Sequence, residues 1–239
     1  MSTPGAIDDT VHCSFNAMRH GSWSICGADW PGRLGRVAPT AVVLTHAHSD
    51  HAAGLAAGAP CPVYATGETW ALIHRFPIRD RRQLPLKKSI MIDGATFTAI
   101  PVEHSIRAPA VGYRVSAQDR RFFYLPDVAA LPNASDALGG IDVYIGDGAT
   151  IRRTMVRKRD GRLIGHTSVV AQLGWCKQAA VHWAVFTHCG SPIVRGNARK
   201  MHAALWRLGR EHGVEACFAC DGDRLTFLDG HGSRWTKHA

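Results

Sequence analysis

The chain has 239 residues, of which 46% are hydrophobic and 20% charged, a composition that is typical of globular proteins and excludes an intrinsically disordered chain. The formal net charge of +9 predicts a surface that attracts anions such as phosphate esters or nucleic acid, although many basic proteins bind no polyanion. Seven scattered cysteines, with no signal-peptide pattern and no long apolar run, favour a reducing cytoplasm over secretion or membrane insertion.

Short apolar runs of strand length recur along the chain, and most are bounded by Gly, Pro, Asp or Asn. They are AVVLT (41–45), PVYA (62–65), FTAIPV (97–102), VGYRV (111–115), RFFYL (121–125), DVYIG (142–146) and AVFT (184–187). Because several of these runs are apolar without alternation, we expect strands that are covered on both faces.

Helical periodicity is less frequent. It marks residues 67–75, 167–179 and 198–212. Thr167 or Ser168 is a suitable N-cap for the second helix, and Gly213 is a normal stop for the third. The basic segment IRRTMVRKRDGR (151–162) is predicted to be an exposed connection. With no linker or repeat, the whole chain, 1–239, is interpreted as one mixed α/β domain.

A histidine-rich motif follows the first strong strand, where residues 45–51 read THAHSDH. Alternation places His46 and His48 on one face, and Asp50 and His51 follow in the loop. Neutral imidazole and carboxylate are ligands for zinc and similar ions, and one ion rarely takes four donors from so short a segment. The motif therefore predicts a metal site, most naturally with two ions, rather than a histidine-rich surface turn.

Three further ligand candidates follow apolar runs in order: His104 in IPVEHSIRAPAVGYRV, Asp127 in FFYLPDV and His188 in AVFTHCG. With His-x-His-x-Asp-His, this order resembles the metallo-β-lactamase superfamily over about residues 10–230. The resemblance implies an α/β (α+β) fold, a four-layer αββα sandwich with metals at one edge. It also implies two divalent ions, Zn²⁺ or alternatively Mn²⁺, held by His46, His48 and His104, by Asp50, His51 and His188, and by Asp127 between them.

Two segments resemble one branch of that superfamily, ribonuclease Z and phosphoribosyl cyclic phosphate phosphodiesterase. The segment around His104 lacks the Pro-Gly-His-Thr sequence usual in thioesterase-like and lactonase members. GHTS (165–168) resembles the extra histidine loop of the phosphodiesterases, where that histidine is not a ligand but assists the leaving group. The resemblance thus implies that His166 is a catalytic general acid. The alternative is a helix cap with a surface histidine.

These features predict a phosphodiesterase in which a metal-bound hydroxide attacks phosphorus and His166 protonates the departing alcohol. Asp50 is a second catalytic candidate, because its free oxygen, like that of the bridging aspartate, can orient the hydroxide. The helix start at Thr167 and Ser168 is predicted to bind substrate through free backbone N–H groups. Arg153 is a further predicted substrate contact, unless the basic segment is a solvated loop.

Two rival functions stay open, a hydrolase of the same fold acting on a lactone, thioester or β-lactam, and a metal- or nucleic-acid-binding module without catalysis. The chain lacks the long Gly/Pro-rich arm of tRNA-processing ribonuclease Z. A small cyclic or nucleotide-like phosphodiester is therefore favoured over RNA as substrate. No membrane partner is expected, and a homo-oligomer stays open.

Two stretches depart from expectation. Superfamily members usually have an acid before an early glycine, where it supports the metal site, but here Ile25 and Cys26 precede Gly27. Asp29 is the nearest replacement. Cys217 and Cys220 form a lone C-x-x-C, which is better interpreted as two buried reduced cysteines than as half of a zinc site.

Overall fold

The structure is a computed structural model, and it describes residues 14–17, 20–24, 34, 38–220, 223–227 and 233–236. Asp29, Ile25 and Cys26 lie outside the described residues. Within the described part of the chain, no helix has both the length and the apolar character needed to cross a bilayer.

Each of the seven apolar runs predicted as a strand overlaps a strand of the two main sheets, which among the described residues also contain five strands that no such run marked. One sheet contains β1 (Ser14–Ala17), β2 (His20–Ser24), β3 (Ala41–Val43), β4 (Val63–Ala65) and β5 (Arg81–Gln83) in that order. The other contains β6 (Ser89–Ile92), β7 (Ala95–Val102), β8 (Ala110–Ala117), β9 (Arg120–Tyr124), β10 (Val143–Asp147), β13 (Trp183–Thr187) and β14 (Glu215–Phe218). Two hairpins, β11 (Arg157–Arg159) with β12 (Arg162–Ile164) and β15 (Arg224–Phe227) with β16 (Ser233–Thr236), complete the strands.

The order of the seven-stranded sheet, β14-β13-β10-β9-β8-β7-β6, determines which strand ends meet. Strands β9, β10, β13 and β14 are parallel, and β8 is antiparallel to both β7 and β9. The carboxyl ends of β7, β9, β10 and β13 therefore lie at the same edge of the sheet. In the five-stranded sheet, β2 to β5 are parallel to one another.

The helices connect these strands. They are α1 (Ser49–Ala52), which continues into a 3₁₀ turn (Ala53–Leu55), α2 (Gly67–Leu72), α3 (Ala134–Leu138), α4 (Val169–Gln178), α5 (Ser191–Val194) and α6 (Ala198–His212). The predicted cap of α4 is confirmed, because Ser168 Oγ accepts a hydrogen bond from the Ala171 N–H at 3.2 Å. Gly213 ends α6 with φ = 69°, a left-handed conformation that glycine adopts without strain.

Three apolar cores separate four layers. The core between the sheets contains Val43, Phe97, Tyr113 and Val185 among others. The outer face of the seven-stranded sheet packs against α4 and α6, and the outer face of the five-stranded sheet packs against the segment from α1 to α2. Both faces of β9 and β10 are thus buried, as their continuous apolar sequences predict. The αββα arrangement predicted from the sequence is confirmed.

One sequence expectation is incomplete and another is wrong. Residues 151–162 are a mostly exposed connection, as predicted, but they also contain most of a β-hairpin that was not predicted, in which Arg157–Arg159 pairs with Arg162–Ile164. The Asp-Gly dipeptide at 160–161 is the hairpin signal that was passed over. Cys220 is exposed and Cys217 is half-buried, so they are not two buried cysteines.

The core that binds α4 to the sheet gives a stability prediction. Leu173 is fully buried in α4, so we expect Leu173→Ala to lower the free energy of unfolding by about 2–5 kcal/mol through lost burial and a residual cavity. Leu72→Ala, at a side chain that is 48% exposed in α2, is the control and should change it by less than about 0.5 kcal/mol. Urea denaturation of both variants measures the difference, and equal midpoints would contradict the packing described.

Candidate metal centre

The THAHSDH motif lies at the carboxyl end of β3, where the chain leaves the five-stranded sheet. Tyr113 Oη donates a hydrogen bond to the Leu44 carbonyl at 2.5 Å, and the Val111 N–H donates to the Thr45 carbonyl at 3.1 Å. Both donors belong to β8 of the other sheet. These bonds therefore fix the start of the motif against the second sheet. Thr45 Oγ1 also lies 3.0 Å from His46 Nδ1 and restrains that imidazole.

The later ligand candidates come from one edge of the seven-stranded sheet. His104 follows β7, Asp127 follows β9 and His188 follows β13 directly. Because the carboxyl ends of these strands meet at one edge, side chains that are far apart in sequence become neighbours. Asp50 and His51 reach the same place from the first turn of α1.

Three imidazoles form the first of two groups. His46 Nε2 lies 3.0 Å from His48 Nδ1, and His104 Nε2 lies 3.2 Å from the same His48 nitrogen. His46 and His104 are buried, and His48 is half-buried. Nitrogens at such distances, all within 4.8 Å of one another, can bind one metal ion together.

The second group combines Asp50, His51 and His188. His188 Nε2 lies 3.2 Å from Asp50 Oδ2, and His51 Nε2 lies 3.7 Å from the same oxygen. These three ligand atoms also lie within 4.8 Å of one another. The two groups are the same two triads that the resemblance implied.

Asp127 lies between the groups. Its Oδ2 is 2.6 Å from His51 Nε2 and 3.9 Å from His46 Nε2, and its Oδ1 is 3.3 Å from His188 Nδ1. The carboxylate is buried, with 3% exposure, so bulk water does not solvate its negative charge. Its position beside members of both triads is the one that a bridging ligand needs.

The polar side chains of the centre are better suited to binding metal ions than to hydrogen bonding with one another. Four buried polar atoms lack a hydrogen-bond partner within the described ranges: His51 Nδ1, His51 Nε2, Asp127 Oδ2 and His188 Nδ1. Buried polar groups of this kind are rarely left unsatisfied. Short contacts without hydrogen-bond geometry are expected where side chains are arranged to face a common cation.

The charges of the centre also favour a cation. Burial lowers the pKa of His46, His48 and His104, so these imidazoles are held neutral, the form that binds metals. Burial also disfavours charge on His188, but the carboxylates of Asp127 and Asp50 outweigh it and raise its pKa to about 9. The negative field that holds this proton would hold a metal ion in the same way.

The backbone around His188 is strained. His188 has φ = 52°, in the left-handed region that is uncommon for residues other than glycine. A Cβ added to the nearby Gly190 would lie 2.2 Å from the Ala149 carbonyl oxygen, so the loop after β13 must contact the loop after β10 backbone to backbone. This packing turns the His188 imidazole toward Asp50 and Asp127, and strain of this kind is concentrated at functional sites.

His166 borders the centre and is held by a residue that the sequence interpretation missed. Its Nδ1 lies 2.8 Å from Asp147 Oδ2 and 3.6 Å from Asp127 Oδ1. Burial lowers the pKa of His166, but the hydrogen bond and charge of Asp147 outweigh this effect and raise it. Asp147 was missed because it ends a strand run, DVYIGDG, without belonging to a recognised motif.

Gln172 is a second missed residue, and it fixes Asp147. Its amide nitrogen donates to the Asp147 carbonyl at 2.7 Å, and its amide oxygen accepts from the Asp147 N–H at 2.9 Å. The carboxylate of Asp147 in turn accepts from the Val128 N–H at 3.0 Å and the Ala149 N–H at 2.8 Å. Asp147 is therefore held on every side before it contacts His166.

The expected free N–H groups at the start of α4 are not there. The N–H groups of Val169 and Val170 donate to the carbonyls of Thr150 and Ile151, and that of Ala171 donates to Ser168 Oγ. Thr167 and Ser168 are both buried. The predicted reason for substrate binding is therefore wrong for these three donors, because the segment after β10 occupies two of them and the Ser168 side chain occupies the third. Substrate contact by Thr167 and Ser168 stays a prediction.

Arg153 is exposed, and its carbonyl accepts a hydrogen bond from Thr150 Oγ1 at 2.8 Å. The basic segment to which it belongs, 151–162, lies in the chain between Asp147 and His166, and both of these residues border the candidate centre. Arg153 itself stays a predicted substrate contact.

Comparisons with known proteins show the family and the fold of the chain. A family model described as beta-lactamase superfamily domain matches residues 22–189. No curated protein sequence is significantly similar to the chain. Among solved structures, the metallo-beta-lactamase fold protein YhfI from Bacillus subtilis has a TM-score of 0.70 and 16% identity, with 92% of each chain covered.

Two further solved structures share the fold. Isothiocyanate hydrolase from Delia radicum gut bacteria has a TM-score of 0.67 and 16% identity, covering 90% of this chain and 96% of that one. Human tRNase Z, short form, has a TM-score of 0.56 and 18% identity, covering 75% of this chain and 86% of that one. At these identities the likeness shows the fold, which hosts more than one chemistry.

Proposed function

Since the chain belongs to the beta-lactamase superfamily, a superfamily of metal-dependent hydrolases, we propose that it is a phosphodiesterase with a centre of two divalent metal ions. The ions would be Zn²⁺ or Mn²⁺. His46, His48 and His104 would hold one, and Asp50, His51 and His188 the other, with Asp127 in contact with both. Such ions activate water as a nucleophile near neutral pH and neutralise negative charge on phosphoryl oxygens.

The protein's own residues would then manage the protons of the reaction. The half-exposed carboxylate of Asp50 would accept a hydrogen bond from the attacking water and orient it toward phosphorus. His166 would donate the proton that the departing alcohol requires. Its Nδ1 is hydrogen-bonded to Asp147, so Nε2, on the other side of the ring, would be the nitrogen that donates to substrate. Asp147 thereby fixes both the ring and its tautomer.

The hydrogen bond between buried Asp147 and partly buried His166 is the observation that carries the choice of phosphodiester. An alkoxide is a poor leaving group, so ester cleavage at phosphorus gains from a general acid that keeps its proton at neutral pH. A raised pKa and a fixed ring suit His166 to that task. We further propose that the substrate is a small cyclic or nucleotide-like phosphodiester, with RNA as the alternative, and that the enzyme acts in the cytoplasm.

An assay of metal-loaded protein separates this function from its rivals. We expect turnover of bis(4-nitrophenyl) phosphate and none of a chromogenic β-lactam, a thioester or a lactone. Hydrolysis of one of these carbonyl substrates alone would reject the phosphodiesterase. Absence of any turnover in protein that retains its metal would favour a binding module without catalysis. The same protein after treatment with a chelator is the control, and it should be inactive.

A further inference from the structure

Strands β9 and β10 part from each other just before the residues that they deliver to the candidate centre. Their paired residues end with Tyr124 opposite Ile145, and one more backbone bond runs from the Leu125 N–H to the Ile145 carbonyl at 2.7 Å. Beyond this bond the chain after β9 turns away to Asp127, whereas β10 continues to Asp147 beside β13. A gap in the ladder therefore opens next to Asp147.

Gln172, in α4, fills this gap with its side chain. Ile145 and Asp147 are two residues apart, so their backbone groups point to the same side of β10, the side that pairs with β9. The Gln172 amide donates to the Asp147 carbonyl at 2.7 Å and accepts from the Asp147 N–H at 2.9 Å. One side chain thus completes the ladder where the strand has left it.

The orientation of this amide is fixed by two further hydrogen bonds. Its oxygen also accepts from Tyr144 Oη at 2.8 Å, and its nitrogen also donates to the Ser168 carbonyl at 3.4 Å. Gln172 and Tyr144 are fully buried, and burial raises the pKa of Tyr144 well above its ordinary value, so the phenol keeps its proton and donates. A flipped amide would place its NH₂ group against two donors, so only one orientation satisfies these bonds.

Gly146 shows how closely the amide and the phenol fit against β10. A Cβ at this position would lie 2.5 Å from Gln172 Oε1 and closer still to the Tyr144 ring. Burying an amide costs free energy unless its hydrogen bonds are made, and an apolar side chain of the same size would pack in this core without that cost. The bonds to Asp147 therefore explain the polar residue, and packing alone does not.

We propose that Gln172 is a positioning residue for His166 and acts through Asp147. Asp147 Oδ2 lies 2.8 Å from His166 Nδ1, so a shift of the Asp147 backbone would turn or release the imidazole. The kinetic consequence rests on the proposed function, in which His166 is the general acid. The four hydrogen bonds of the amide go to residues that are not candidate metal ligands, so the number of bound metal ions should not depend on Gln172.

Gln172→Met removes the amide at nearly constant volume and tests this role. Zinc-loaded protein is assayed with two esters, thymidine 5′-(methyl phosphate) and thymidine 5′-(4-nitrophenyl phosphate). With the methyl ester, whose leaving groups are alkoxides, we expect kcat/KM to fall by about tenfold or more, because a misplacement of about 1 Å can cost about 100-fold. With the 4-nitrophenyl ester, whose phenolate leaves without protonation, the fall should be less than about threefold.

Three variants separate positioning from general destabilisation. Leu173→Ala removes a fully buried apolar side chain that cannot bond to Asp147, so the ratio of the two kcat/KM values should stay as in the wild type. In a His166→Ala background, Gln172→Met should cause no further loss with the methyl ester, because the residue through which it acts is absent. Tyr144→Phe removes only the outer bond of the amide and should change the ratio in the same direction by a smaller factor. It replaces Gln172→Met as the test if the thermal midpoint shows that Gln172→Met is misfolded.

The proton of His166 tests the positioning without any turnover. In the zinc-loaded wild type, the Nδ1–H bonded to Asp147 should give a proton NMR resonance that exchanges slowly with water and that is absent in His166→Ala. We expect Gln172→Met to lose this resonance and Leu173→Ala to keep it.

The outcomes distinguish this inference from the proposed function. An unchanged ratio of kcat/KM values in Gln172→Met, a further loss in the double variant or a retained resonance would overturn the role of Gln172. Loss of bound metal in Gln172→Met would also overturn it, because the effect would then lie in the metal centre. No hydrolysis of either ester by metal-loaded wild type, together with loss of the resonance in Gln172→Met, would overturn the proposed function and leave the positioning of His166 intact.

Discussion

Replacing Asp127 with alanine is expected to abolish the dinuclear centre. The Asp127 carboxylate is buried and lies 2.6 Å from His51 Nε2, 3.3 Å from His188 Nδ1 and 3.9 Å from His46 Nε2, so it is placed to contact both triads. Mutation of a residue that only hydrogen-bonds to a metal ligand typically lowers metal affinity or activity by about 10–100-fold. The loss of a ligand shared by two ions should exceed that range. We expect phosphodiester turnover to fall by at least about 100-fold and bound metal to fall below two ions per chain.

Single-triad variants sharpen the prediction for Asp127. His48→Ala and His188→Ala should each lower the metal content by about one ion, because each removes a ligand from one triad only. Asp119→Ala, at an exposed aspartate in the turn between β8 and β9, is the matched control and should keep full metal content. Elemental analysis of the purified variants measures the content. Full metal content in Asp127→Ala would contradict the bridging role.

Replacing His166 with alanine is expected to reduce turnover by a factor that is larger when the leaving group is poorer. A general acid contributes about 10²–10⁴-fold when the departing alcohol is a poor leaving group. 4-Nitrophenolate leaves without protonation, so kcat/KM for the 4-nitrophenyl ester should fall by less than about tenfold in His166→Ala. The measurement is kcat/KM for a 4-nitrophenyl ester and for an alkyl ester of the same phosphodiester, in the wild type and in His166→Ala.

The metal content of His166→Ala separates two roles for this residue. His166 lies within metal-binding distance of His104 and Asp127, and also of Asp147 and His188, so it is placed to act as a ligand as well. Unchanged metal content together with a loss that depends on the leaving group supports the general acid. Loss of metal would make His166 a ligand, and an equal loss for both esters would remove it from proton transfer. His182→Ala, at an exposed histidine next to β13, is the control.

The candidate ligands could be predicted because each follows an apolar strand. A strand that is buried on both faces must end at a sheet edge, and a polar side chain just beyond it is then placed there. His104, Asp127 and His188 are brought together for this reason. The distances within each triad depend on tertiary packing, and in particular on the bonds from Tyr113 and Val111 that hold the motif after β3.

Asp147 and Gln172 could not be predicted in the same way. Asp147 resembles an ordinary strand-ending aspartate, and Gln172 lies within a helix where a polar residue normally faces solvent. Gln172 is instead fully buried. Its side-chain amide forms hydrogen bonds with the backbone N–H and C=O of Asp147, as a neighbouring strand would. Only the three-dimensional arrangement of α4 against β10 shows this pairing.

At the start of α4, by contrast, the sequence predicted free N–H groups that the structure does not have. Helix N-termini offer free N–H groups in general, but here the chain after β10 folds back and supplies carbonyls from Thr150 and Ile151. That same return places the start of the β11–β12 hairpin beside His166, whose carbonyl accepts a hydrogen bond from the Met155 N–H at 2.9 Å.

Anomalous X-ray diffraction from crystals of the zinc-loaded protein is the most direct test of the central claim, a dinuclear centre at the edge of the sandwich. We predict two zinc peaks, one among His46, His48 and His104 and the other among Asp50, His51 and His188, with Asp127 in contact with both. A single peak, or peaks coordinated by Asp147 and His166 in place of these residues, would contradict the account.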